Sequence, residues 1–491
     1  MLSFVWHLTV GVVLLAVLFG AGLLAACAWR PAPSDDDSPL HHLLVALGSG
    51  FGLIPFLAFA LVFFPNWALT PVFPLGVAAC VAAFASLRIR RLGAGWLPIQ
   101  LRTGWREARP VLFGAALVGL IYLAKYDRSV CFLESCIHRV VMQVLKLHPK
   151  DVYLLFSNQD DQRLGNPAVI STFVVLFRGL GFRVLYAFVG FAIALGAYSL
   201  GKRLFGTRGA GWACLVLLPL NPYVAKIPLL DENLLTLGFS SLFLPLVLRR
   251  QVPWAYIGMM FGLAVMMQHA AILSGLAICW AIWVYPAPGE RLRAFCVAFP
   301  LFVLVTLVCH IHHYVALGSL LRFESFGQIP AFPHRFFGMY EGLLQWPFAE
   351  SVVRTPWNPF PTFLMWPLVV AGGLGLVLFA GILLGVLWMA RRAPRELVFW
   401  LLWLVLPYIA LSVQENWDVP NKMGILYFLM HPILLWAVAG VRAAFERPLR
   451  WGAGLVALAV ASGAAAEALR HYEVPADTRY YTARFGDRRE D

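Results

Sequence analysis

The stretch VLFGAALVGLIYLAKYDRSVCFLESCIHRVVMQVL, Val111–Leu145, decides how the chain is read. Its first half is apolar throughout, and Asp127 then stands where the run ends. From Val130 onward the apolar positions Leu133, Ile137, Val140, Val141, Val144 and Leu145 recur at helical spacing, while Glu134, His138, Arg139 and Lys146 fall elsewhere on the wheel. That pattern predicts an apolar helix leaving a membrane at Asp127, followed by an amphipathic helix lying in the plane of the interface.

The whole sequence repeats the apolar theme. Over 491 residues it is 60% hydrophobic, 14% aromatic and only 13% charged, with a mean hydropathy of +0.75. Such a composition excludes an ordinary globular domain. Apolar runs of spanning length recur from Phe4 to Ala468, and their number predicts an all-α, polytopic transmembrane protein of about 12 to 14 spans. The first run, Phe4 to Ala28, lacks a basic leading region and is read as a span rather than a cleaved signal.

The net charge of +13 does not mark a nucleic-acid binder, because the basic residues sit in short alternate loops. Arg88, Arg90, Arg91, Arg102, Arg106 and Arg109 form one group; Lys202, Arg203 and Arg208 another; then come Arg249 and Arg250, Arg291 and Arg293, Arg391, Arg392 and Arg395, and Arg442, Arg447 and Arg450. By the positive-inside rule these loops are cytoplasmic. The loop RPAPSDDDSPLHH is placed inside by the same alternation, although it holds three acids and one arginine. The intervening loops then face outward, and they hold Asp127, Glu134, Asp160, Asp161, Asp231, Glu324, Glu341 and Asp418.

Three units follow: a three-span extension with its basic loop over 1–108, a helical body over 109–470 with outer loops at 126–168 and 317–362, and a polar tail over 471–491. Cys131 and Cys136 lie on the outer side, where a disulfide would persist, but a regular helix points them to different faces. His310, His312 and His313 sit at a span end with no acid at ligand spacing, which favours polar interfacial residues over a metal site.

The segment GLGFRVLYAFVGFAIALGAYSLGKRLFGTRGAGWACLVLLPLNPYVAKIPLLDENLLTLGFSSLFLPLVLRR, Gly179–Arg250, resembles the signature region of the GT-C superfamily of membrane glycosyltransferases, which take sugars from polyprenyl-phosphate donors. Protein O-mannosyltransferases and the aminoarabinose transferases of lipid A are relatives of that kind. GLAVMMQHAAILSGLAICWAIWVY, HHYVALGSLLRFESFG and NWDVPNKMGILYFLMHPILL are similar to later family segments and occur in family order. The resemblance implies a GT-C-like fold, with sugar transfer from a lipid-linked donor to an acceptor hydroxyl at the outer, periplasmic face of the plasma membrane. It also implies a carboxylate at the start of the first large outer loop, and Asp127 occupies that position, followed here by Arg128 and later by Asn166-Pro167.

Transfer of that kind needs a general base for the acceptor and positive or hydrogen-bonding groups for the departing phosphate. Asp127 is the candidate base, and as a good N-cap residue it would equally well cap the interfacial helix. Asp231 and Glu232 are candidates for substrate binding, or simply acids suited to a helix N-terminus. Arg163, Lys226, His269, Arg322, Arg335 and Lys422 are candidates for the donor phosphate, His269 and Lys422 foremost. Asp160 and Asp161 would hold a divalent metal if one is required, although adjacent acids in a polar loop are more often solvated. The implied partners are membrane lipids, the lipid-linked donor and an acceptor. A flippase or other secondary transporter of lipid-linked sugars and a non-catalytic scaffold are the competing readings.

Overall fold

The computed structural model describes residues 39–51, 72–92, 105–129, 181–220, 232–248, 252–317, 376–413 and 429–445, together with helical positions between 9 and 24 and the single residues 169, 173 and 177. Among the described residues every regular element is helical and none is a strand. We label the α-helices α1 (Pro39–Phe51), α2 (Val72–Leu92), α3 (Trp105–Ser129), α4 (Gly181–Phe205), α5 (Arg208–Leu220), α6 (Glu232–Val247), α7 (Trp254–Met267), α8 (Gly275–Val284), α9 (Arg291–Leu317), α10 (Leu376–Arg392), α11 (Pro394–Val413) and α12 (Met430–Phe445). Short 3-10 turns at His269–Ser274 and Pro288–Glu290 flank α8.

The long helix α4 stands at the centre, packed against α3, α5 and α6. Its stretch Arg183–Phe205 is long and apolar enough to cross a membrane by length and composition. Leu75–Leu87, Ala108–Ala124, Arg208–Leu220, Leu234–Val247, Trp254–Met267, Ala271–Val284 and Met430–Ala443 are shorter apolar helices. Local chemistry ends α4: Gly206 adopts φ +68° and its N–H reaches the Lys202 carbonyl at 2.8 Å, a left-handed stop that glycine makes without steric cost. Thr207 then opens α5, its hydroxyl accepting from the Ala210 N–H at 3.4 Å.

Close helix packing is built on small residues. A Cβ added at Gly196 would collide with the Ser241 carbonyl, one at Gly258 with that of Ala298, and one at Gly385 with that of Trp436. Gly381 and Gly385 form a Gly-x-x-x-Gly step on α10 that receives Gly440 of α12, and among the described helices these two share the most extensive contact. Backbones brought together in this way gain dispersion contacts without needing water to drive apolar groups together, which is how helices associate in lipid.

The helix ends that carry Arg203, Arg395 and Arg442 meet at one end of the bundle, while Arg128 in the last turn of α3 and Arg183 in the first turn of α4 belong to the other. Arg203 donates to the Leu248 carbonyl, and Arg442 donates to the Phe205 carbonyl with its guanidinium 5.4 Å from the Trp388 ring. Trp280 donates its Nε1–H to the Arg395 carbonyl at 3.3 Å, which brings the α11 start to the foot of α8. We call this the basic end.

Candidate functional site

The end opposite Arg203, Arg395 and Arg442 receives the last turn of α3, the first turn of α6 and the turn after α7. In α3 the position is set by Tyr122, a buried side chain whose hydroxyl donates to the Pro219 carbonyl at 2.7 Å. Its ring lies 5.0 Å from that of Tyr186, in space left free by Gly190. This clamp joins α3, α4 and α5, and Asp127 follows five residues later, about 7.5 Å further along the helix.

The sequence reading ended the apolar helix at Asp127 and let that residue cap a following one. The structure instead keeps the chain helical through Asp127 to Ser129. Polar residues do not stop a helix by themselves, since Lys, Arg and Asp cost only tenths of a kcal/mol relative to alanine. Asp127 therefore sits in the C-terminal turn of α3, where the helix dipole opposes a negative charge. Glu232, the first residue of α6, is in the reverse situation: the dipole favours an acid there.

His269 is placed by a break in the backbone. Gln268 is extended at φ −142° and ψ 108°, which stops α7, and the 3-10 turn beginning at His269 leads back into α8. Ser274 fastens this turn to α11, donating to the Trp403 carbonyl at 2.9 Å. Gly262 packs on Val305, after which α7 has five residues left and α9 has twelve. The turn is consequently set back from the tip of α9 by about 10 Å.

Asp127, Glu232 and His269 thus belong to elements whose ends share one side of the bundle. Asp231, Arg163, Lys226, Arg322, Arg335, Lys422, Asp160 and Asp161 lie outside the described residues, as do Cys131, Cys136 and the expected interfacial helix. His310, His312 and His313 fall in the last turns of α9. Among the described residues no group of three or more His, Cys, Asp or Glu side chains gathers to hold a metal.

One polar pair escaped the sequence reading. Ser241 on α6 and His431 on α12 are both buried, with Oγ and Nε2 2.8 Å apart, while Ser241 also donates to the Leu237 carbonyl at 2.8 Å. The signal was present as a histidine before Pro432 inside an apolar run, and as the Ser240-Ser241 pair inside another. At the basic end, the Tyr285 hydroxyl is pushed to a higher pKa by burial first and by the negative charge of Glu396 second, against the opposing pull of Arg203 and Arg395.

Comparison of the chain with protein-family models, with curated proteins and with solved structures gives no match.

Proposed function

We propose that the protein is a multi-pass membrane glycosyltransferase of the GT-C kind. It moves a sugar from a polyprenyl-phosphate donor to an acceptor hydroxyl at the outer face, with Asp127 as the general base. The observation that carries this reading is a shared placement: Asp127, Glu232 and His269 belong to helix ends on the side of the bundle opposite Arg203, Arg395 and Arg442, with Lys125, Arg128 and Arg183 as the cations at their own end. A lipid-linked donor presents its sugar-phosphate bond at headgroup depth, so its chemistry belongs at an end and not in the middle.

Membrane embedding draws support from the outward faces. Phe113, Leu117 and Leu120 on α3, Leu383, Leu384 and Leu387 on α10, and Val303, Leu304 and Leu307 on α9 are exposed side chains on consecutive helical turns. Apolar surface on this scale is costly in water and costs nothing in lipid. Asp127 would accept the acceptor's hydroxyl proton as the oxygen attacks the anomeric carbon and the polyprenyl phosphate departs. The N–H groups of the first α6 turn offer donors to that phosphate. His269, Arg163, Lys226, Arg322, Arg335 and Lys422 would add charge or hydrogen bonds there, and Asp231 would support Glu232 in substrate binding. Asp160 and Asp161 are the residues for a divalent ion.

A second reading, movement of the intact donor across the membrane, has one observation in its favour: the His431–Ser241 pair is an ionisable group deep in a helical bundle. The full chain in proteoliposomes separates the two readings when supplied with a labelled polyprenyl-phosphate sugar and candidate acceptors. Release of polyprenyl phosphate coupled to acceptor labelling supports the transferase. Transfer of uncleaved donor between leaflets, with no polyprenyl phosphate released, would replace it with the transporter.

A further inference from the structure

At the basic end, α8 hands over to α9 through the short turn Pro288–Glu290. Trp283 and Arg291 flank this turn, and the Arg291 guanidinium lies 4.6 Å from the centre of the Trp283 ring. The Arg291 Nε atom is buried with no hydrogen bond from the chain. The residue as a whole is only half-buried, so a phosphate reaching the open part of the guanidinium would gain charge-assisted hydrogen bonds there. Next to it, Leu292 is 73% exposed, and Phe295 and Phe299, stacked at 5.2 Å, continue down the same face of α9. Spacing of three and four residues makes Leu292, Phe295 and Phe299 one continuous stripe.

A headgroup-level cation, an exposed tryptophan beside it and an apolar stripe running away from both match the shape of a phospholipid. We infer that Arg291 and Trp283 bind the phosphate of an anionic phospholipid in the leaflet at the basic end, with an acyl chain lying along Leu292, Phe295 and Phe299. Charge complementarity selects an anionic lipid over a zwitterionic one, because Arg293, Arg391, Arg392 and Arg395 are exposed at the same end and, among the described residues, Glu290 and Glu396 are the acids of the turns that carry them. The inference rests on the membrane embedding proposed above but not on the sugar transfer: the site lies at the end away from Asp127.

Native mass spectrometry of the detergent-purified full chain, titrated with phosphatidylglycerol or with phosphatidylcholine of the same acyl chains, tests it. The wild type retains phosphatidylglycerol in preference to phosphatidylcholine, and millimolar inorganic phosphate does not displace it. Arg291→Gln weakens phosphatidylglycerol binding about fivefold, the loss expected for one basic residue at an anionic surface. Trp283→Leu weakens it roughly threefold through the lost cation–π contact. Trp283 is 62% exposed, so its replacement leaves folding intact and carries the test even where Arg291→Gln fails to fold. Unchanged phosphatidylglycerol affinity in Trp283→Leu, displacement by inorganic phosphate, or equal binding of both lipids overturns the inference. Flotation of the same variants with liposomes separates that failure from failure of the membrane reading, which would leave the protein unassociated with any bilayer.

Discussion

The two ends of the bundle handle charge in opposite ways. At the basic end arginines are spent on the fold: Arg203 and Arg442 each satisfy a carbonyl at the end of a neighbouring helix, and the backbone of Arg395 holds Trp280. Arginine at helix ends also suits the dipole, as at Lys202 and Arg203 in the last turn of α4. At the other end the pattern is mixed. Glu232 agrees with its helix dipole, whereas Asp127 stands at the wrong end of α3 for a negative charge. The α3 dipole gives Asp127 no support of the kind Glu232 receives from α6, a contrast that agrees with the role of base proposed for Asp127.

The sharpest break in that comparison would come from side-specific labelling. In a chain freed of its 8 cysteines, Arg128→Cys reacts with an impermeant maleimide from the outside of intact cells, and Arg293→Cys reacts only after permeabilisation. Labelling of both from one side would put the two ends on one face and end the topology. Next in size is Gly385→Val, which forces α10 away from the Trp436 carbonyl and costs about 3 kcal/mol. Thermal unfolding in detergent reads the loss, and an unchanged midpoint would mean that α10 and α12 do not pack through their glycines. Arg442→Met has a smaller effect, about 1 to 2 kcal/mol from a lost charged hydrogen bond, with donor turnover unaltered at temperatures where the variant stays folded. A turnover defect in that variant would bring the basic end into the chemistry.

Much of the architecture was legible in composition. Helicity and the grouping of arginines by alternate loops follow from residue types that act locally, and the helix ends bearing Arg203, Arg395 and Arg442 are together in the fold. Helix limits were less legible. Asp127 looks like a boundary because hydropathy drops there, yet hydrogen bonding along α3 continues through it. The break after Met267 is legible by contrast, because the polar pair Gln268-His269 interrupts an otherwise apolar run at the point where the helix gives way to a 3-10 turn. The buried pair of Ser241 and His431 was out of reach for another reason: the two residues are 190 positions apart, and only packing makes them neighbours. Partner choice among glycines is hidden in the same way, since Gly385 and Gly440 each read as a small residue in an apolar run.

The most direct test of the account is donor turnover by the reconstituted full chain, comparing Asp127→Asn with Glu232→Gln. Loss of the base lowers polyprenyl phosphate release by about 100- to 10,000-fold in Asp127→Asn, while its thermal stability stays at or above that of the wild type because a charge opposed by the α3 dipole has been removed. Glu232→Gln loses about 0.5 kcal/mol of stability from its favourable dipole contact and keeps far more turnover than Asp127→Asn. Substantial release of polyprenyl phosphate by folded Asp127→Asn would contradict the assignment of the base.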